Sequence, residues 1–181
     1  MNEKIKHIKA LFSLVGYHLL SLGMNSSHSG NLSGREGSNI YITRTGTMLG
    51  DIREKDLVAA EIMDSMPPRV SMEYPVHRQI YLDTSFNAVI HCHPPYAVAL
   101  SLSNEKIEPL DREGIRIVGT VPVVSGENDI PHKVSARLQT DHRAVMVKGH
   151  GVFVAANSME EALHVVTALE MSSKIICLSK H

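Results

Sequence analysis

Apolar residues recur at helical spacing from the start of the chain. Ile5, Ile8, Leu11, Phe12, Val15 and Leu19 share one face, and Gly23 supplies a natural stop, which predicts an amphipathic helix from residue 3 to about 22. The next stretch, NSSHSGNLSGREGSN (25–39), is too rich in glycine and serine for a helix and reads as loop. IYIT (40–43) is a β-branched and aromatic strand, and RTGT after it is a turn. LVAAEIM (57–63) predicts a strand and DSMPPRVSM a loop. EYPVHRQIYLDT (73–84) predicts a helix whose first turn tolerates Pro75. AVIHCH (88–93) reads as strand, and PYAVALSLSN (95–104) as a helix opened by Pro95.

Further along, RIVGTVPVVS gives one or two strands and IPHKVSARLQTD a helix. RAVMVKGHGVFVAA (143–156) gives two apolar strands about a Gly-His-Gly turn. A last helix starts at Ser158, with Glu161 completing a Ser-x-x-Glu capping box. Helices and strands are mixed without regular βαβ alternation. The expected fold is therefore α/β, a sheet with helices packed on its faces.

Composition narrows the class. At 181 residues the chain fits one domain, 1–181, with a substantial core. The 18 Lys+Arg and 19 Asp+Glu are interspersed for a net charge of −1, which gives no nucleic-acid footprint and no basic membrane patch. No cleavable apolar leader is seen and no run reads as a bilayer span. Cys92 and Cys177 lack pairing or zinc-finger spacing, so a reducing, cytoplasmic setting is expected.

Histidine is the outlier, at 11 residues in a chain without tryptophan. On a strand, positions two apart share a face, so His91 and His93 project side by side with Cys92 facing away. Such a pair is either half of a metal site or two buried imidazoles with ordinary partners. His150, in KGHGVFV, is the third candidate, with flanking glycines that leave its ring unobstructed. The three together have the make-up of a catalytic metal site with an open position.

Glu73 opens the helix before the His-x-His strand, so the two elements can bring its carboxylate to the metal. An acid in a first turn also suits the helix dipole by itself. His77, one turn on, is either a helix-packing residue, a partner of a ligand or a further ligand. SGNLSG and ITRTGT put asparagine, hydroxyls and free backbone amides on two loops, a neutral way to hold phosphate. The same residues also make ordinary polar turns. No P-loop and no G-x-G-x-x-G occurs, so nucleotide binding is not favoured.

The segments SGNLS, ITRTG, SMEYPVH, HCHPPYA and GHGVFVA…EEAL, in that order over nearly the whole chain, resemble the class II aldolase/adducin family, in particular its L-fuculose-1-phosphate aldolase-like branch. The resemblance implies a central, mainly antiparallel β-sheet with helices on both faces in three layers. It implies that His91, His93 and His150 bind zinc, one ion per subunit, although manganese, iron or cobalt also suit three histidines. Glu73 matches the acid/base carboxylate, which also coordinates the metal before substrate arrives. Gly30, Asn31, Thr45, Gly46 and Ser71 match positions that hold the substrate phosphate. Family members are typically homotetramers with active sites between subunits.

The activity so implied is reversible cleavage of a ketose 1-phosphate to dihydroxyacetone phosphate and an aldehyde through a metal-stabilised enediolate. Sugar-phosphate 4-epimerisation, methylthioribulose-phosphate dehydration and a non-catalytic adducin-like module are the alternatives on the same scaffold. The sequence departs from the branch at two points. Met72 stands where a second phosphate-binding serine is common. IEPLDREGI lacks a tyrosine proton donor, which leaves Asp111, Arg112 and Glu113 as candidates for that role.

Overall fold

The computed structural model describes residues 3–64, 66–126 and 128–179, together with the backbone but not the side chain of Lys4. Helix α1 (Glu3–Ser21) buries Phe12, Val15 and Leu19, the stripe its periodicity picks out. It ends as expected at Gly23, which takes φ +70°. Met24 N–H then donates to Leu19 O and Gly23 N–H to Leu20 O, so the last carbonyls keep partners.

Eight strands follow: β1 (Asn31–Glu36), β2 (Asn39–Thr43), β3 (Leu57–Glu61), β4 (Ala88–Cys92), β5 (Lys106–Ile107), β6 (Val121–Val124), β7 (Ala144–Val147) and β8 (Gly151–Ala156). Five more helices intervene: α2 (Tyr74–Asp83), α3 (Pro95–Ser101), α4 (Arg112–Ile117), α5 (Ile130–Leu138) and α6 (Met159–Ser179). The strands form one sheet in the order β3-β2-β1-β4-β8-β7-β6-β5. All pairings are antiparallel except β6 with β7.

Alternation along the central strands divides the interior into two cores. Ala88, Ile90 and Cys92 of β4 join Val152, Val154 and Ala156 of β8 in a core with α1, α3 and α6. Val89, Phe153 and Ala155 face the opposite way, into a core with Tyr74, Ile80 and Tyr81 of α2 and Val134 and Leu138 of α5. The three-layer α/β arrangement expected from the sequence is thus the one observed.

Two elements differ from the pattern reading. The polar stretch 31–36 is a strand paired on both edges, not a loop. Its periodicity is hidden because Asn31 and Ser33 are buried polar residues and only Leu32 enters an apolar core. Residues 112–117 are helix, capped by the Asp111 carboxylate, which accepts from Gly114 N–H at 2.8 Å. Only Val121–Val124 of RIVGTVPVVS is therefore strand.

The capping box before α6 is partly shifted. Glu161 N–H donates to Ser158 Oγ (3.1 Å), while the Glu161 carboxylate accepts from Asn157 N–H rather than from Ser158. At 21 residues α6 is long and apolar enough to cross a membrane, contrary to the reading that no run is. Its buried face, from Met159 to Ile176, packs on the sheet, as in a core helix.

Candidate metal centre

The C-terminal end of β4, the start of β1 and the β7–β8 turn meet at one end of the sheet. Pairing sets Asn31 opposite His91 and Cys92 opposite Val152, and Val147 opposite Gly151 closes the turn that carries His150. One His from each of three backbone positions is thereby aimed at a single point. Their ligand nitrogens lie within 4.8 Å of one another, and His91, His93 and His150 form the one such group among the described residues.

His91 is the fixed member. Its ring stacks on Phe153 with centroids 4.2 Å apart and planes at 17°. Its Nδ1–H donates to Val152 O at 3.0 Å, and since a carbonyl can only accept, Nε2 is left with its lone pair free. Burial, then the neighbouring His93 and His150 rings, hold its pKa well below the usual value. Burial and then His150 lower His93 as well. Neutral imidazoles are the form a metal needs. The triad fits a divalent metal by count and donor type.

Glu73 is the cap residue of α2, but its carboxylate makes no capping bond. Its backbone is tied down instead: Glu73 N–H donates to Ser71 Oγ at 3.2 Å, and its carbonyl accepts from Val76 and His77. Glu73 is not one of the three clustered donors, and its Oε1 lies 3.9 Å from His150 Nε2. Burial raises its pKa above the ordinary glutamate value, and His150 partly offsets this.

One pocket is lined by the three candidate metal ligands, the candidate acid/base and the five candidate phosphate positions: His91, His93, His150, Glu73, Gly30, Asn31, Thr45, Gly46 and Ser71. Gly30 has a structural reason to be glycine. It takes φ +77°, and a Cβ there would meet Asn25 Nδ2 at 2.6 Å and His91 O at 2.8 Å. Asn31 is buried, with Oδ1 unpartnered. The Thr45 hydroxyl is already used, donating to Val70 O at 3.0 Å. The Ser71 hydroxyl accepts from Glu73 N–H and keeps its own proton to donate.

His28, Arg44 and Met72 complete the wall. The sequence reading had no role for His28 or Arg44, although Arg44 sits inside the ITRTG segment. His77 is not part of the site: it is fully buried, bonded through Nδ1 to Ser33 Oγ at 2.6 Å, and burial pushes its pKa down to about 3. Asp111, Arg112 and Glu113 do not line the pocket of their own chain.

The fold and the histidine cluster define a three-layer α/β protein with a site suited to a divalent metal. The chain belongs to the class II aldolase/adducin family: the family model for the class II aldolase and adducin N-terminal domain matches residues 12–177. It is similar to the L-fuculose phosphate aldolase of Methanocaldococcus jannaschii, at 30% identity over 83% of this chain and 84% of the relative. The crystal structure of L-fuculose-1-phosphate aldolase from Thermus thermophilus superposes with a TM-score of 0.91 at 31% identity, over 95% of this chain and 93% of that one. The 3-oxo-tetronate 4-phosphate decarboxylase of Escherichia coli K12 is 29% identical over 97% of this chain and 85% of its own.

Proposed function

We propose that the protein is a zinc-dependent lyase that reversibly cleaves a ketose 1-phosphate of the L-fuculose-1-phosphate type to dihydroxyacetone phosphate and an aldehyde. The observation that carries this reading is the triad with a free His91 Nε2 and the Glu73 carboxylate beside it. Bound there, the metal supplies a Lewis acid that polarises the carbonyl and adjacent hydroxyl oxygens of the substrate.

The residues of the chain do the rest. His91, His93 and His150 hold the ion, and Phe153 and Val152 O fix the orientation of His91. Glu73 transfers the proton at the carbon next to the carbonyl, and it also coordinates the metal while substrate is absent. Burial raises the affinity of its carboxyl for a proton above that of an ordinary glutamate, the direction that suits a group asked to accept and return one. Asn31, Ser71 and the backbone around Gly30, Thr45 and Gly46 hold the phosphate. The active form is a homotetramer, with sites between subunits, in the cytoplasm.

The likeness to a 3-oxo-tetronate 4-phosphate decarboxylase favours a second reading. Loss of carbon dioxide from that β-keto acid leaves electrons on the same carbon that loses the aldehyde in a retro-aldol cleavage. Protonation there gives dihydroxyacetone phosphate in both cases. Decarboxylation starts from an ionised carboxylate and needs no group to take the proton from a hydroxyl that becomes the aldehyde carbonyl, which suits a chain without the family tyrosine. Release of dihydroxyacetone phosphate therefore does not separate the two.

The test is to incubate metal-assayed protein with L-fuculose 1-phosphate, with related ketose phosphates and with 3-oxo-tetronate 4-phosphate, with and without chelator. Metal-dependent release of an aldehyde supports the aldolase. Carbon dioxide without aldehyde establishes the decarboxylase in its place. Epimer or dehydrated product without either would move the activity to the other reactions of the scaffold.

A further inference from the structure

We infer that Arg44 is the charge-bearing determinant of phosphate recognition in this chain, a residue that binds the anionic end of the substrate. The inference rests on the proposed phosphorylated substrate and deepens it. The neutral donors expected at the phosphate end are fewer than the motif suggests. The Thr45 hydroxyl proton is committed to Val70 O at 3.0 Å, and Met72, 78% exposed, offers no hydrogen bond donor from its side chain. Ser71 is the one hydroxyl of the set whose proton remains free.

Arg44 stands where this shortage arises. It lines the triad pocket with Thr45, Gly46, Ser71 and Met72. An isolated bridge pairs its backbone with Val70, so the loop bearing Arg44, Thr45 and Gly46 is joined to the segment that leads to Ser71 and Glu73. Its Nε is buried and has no partner, and Arg44 has no carboxylate partner among the described residues. A guanidinium offers five donors and no acceptor, so an unpaired one in a pocket wall is matched by an anion.

The surroundings add to the positive field. Arg44 and Thr45 also line an adjoining pocket with Lys55, Asp56 and Arg69. The one acid there, Asp56, uses Oδ2 to accept from Arg53 N–H at 2.9 Å. Lys55 and Arg69 have no carboxylate partner among the described residues. A cleft lined by unpaired cations draws anionic ligands toward it. Bidentate contact from the Arg44 fork supplies orientation as well as charge.

The experiment compares wild type, Arg44→Met and Arg44→Lys as metal-loaded proteins, each first checked for an unchanged melting temperature. Inorganic phosphate is titrated by calorimetry, and KM and kcat are measured with any ketose phosphate the wild type cleaves and with its unphosphorylated ketose. We expect Arg44→Met to bind phosphate at least about tenfold more weakly, the scale of losing a hydrogen bond to a charged group. Arg44→Lys should recover part of the loss. KM should rise for the phosphorylated substrate only, with kcat little changed.

Phosphate affinity in Arg44→Met equal to wild type would overturn the inference. So would an equal KM rise for the unphosphorylated ketose. If wild type cleaves no substrate yet Arg44→Met loses phosphate affinity, the proposed reaction fails while the assignment of Arg44 stands.

Discussion

Glu73 Oε1 lies 3.9 Å from His150 Nε2, the two side chains being carried by separate elements, one by the head of α2 and one by the β7–β8 turn. A carboxylate beside His150 with no capping duty meets the need of the proposed proton transfer. Glu73→Gln keeps the shape and removes the proton-carrying oxygen. Metal content should stay at the wild-type level, while turnover should fall by about 10²-fold or more, the usual contribution of a positioned acid/base. Metal analysis and the cleavage assay on one preparation check this. Wild-type turnover in the variant would remove Glu73 from the chemistry.

The three histidines should not be equivalent. His93 is half-buried and His150 exposed, whereas His91 is fully buried and stacked on Phe153. His93→Ala should lose the metal and the activity with little change in the stability of the metal-free protein. His91→Ala should lose the metal and also leave a cavity against Phe153, costing about 2–4 kcal/mol. Denaturant melts of the metal-free variants distinguish the two cases.

Much of this site was legible because its parts are local. HCHPP and KGHG each put histidines at a strand end, and the short apolar runs around them, buried on both faces, are enough to give β4, β7 and β8. The miss at β1 has the opposite cause. Ser33 is buried to meet His77 and Tyr81, at 2.6 and 2.8 Å, so a polar letter in the sequence marks an interior position. The same holds at α4, a six-residue helix whose signal was one capping aspartate. The Thr45 proton is taken by Val70 O, 25 residues on, and Arg44 Nε is buried without a partner; both follow from chain packing that no local pattern carries.

Chelation should separate a catalytic metal from a structural one. The two cores are apolar and lie on either side of the sheet, and the triad sits at one end of it. Removing the metal should abolish activity and leave far-ultraviolet circular dichroism essentially unchanged. Cooperative loss of helix signal on chelation would make the ion a folding element instead.

Glu170 is a buried carboxylate of α6 that accepts from Tyr96 N–H and Ala97 N–H at 3.0 and 3.1 Å, holding the first turn of α3. That turn follows directly on the His-x-His segment. Glu170→Ala leaves both N–H groups without their partner and should destabilise the fold by about 1–3 kcal/mol. Glu170→Gln, which retains one acceptor oxygen, should cost less. An unfolding midpoint of Glu170→Ala equal to that of the wild type would show that the cap contributes nothing.

Gly151 gives the most direct test of how tightly the backbone shapes the triad. It is the first residue of β8, opposite Val147. A Cβ at this position would lie 2.5 Å from Cys92 O, 2.7 Å from His93 Cδ2 and 3.0 Å from His91 Cε1. The first contact is to backbone in the central strand, which cannot yield cheaply, and the other two are to ligand rings. Gly151→Ala should therefore push β8 from β4 and turn the imidazoles out of register together. Overpacking of this kind costs about 1–3 kcal/mol, so the variant should still fold. Its metal affinity should fall at least about tenfold, since ligand orientation governs binding on that scale. Gly149→Ala is the matched control. It sits at φ +66° and would bring a Cβ 3.1 Å from Leu102 Cδ2, so it strains the turn without approaching the rings of His91 or His93. Comparable stability loss in both variants, with metal affinity lost only in Gly151→Ala, is the expected result. Metal titrations with a competing chelator measure it, and wild-type affinity in Gly151→Ala would show that the rings are free to adjust.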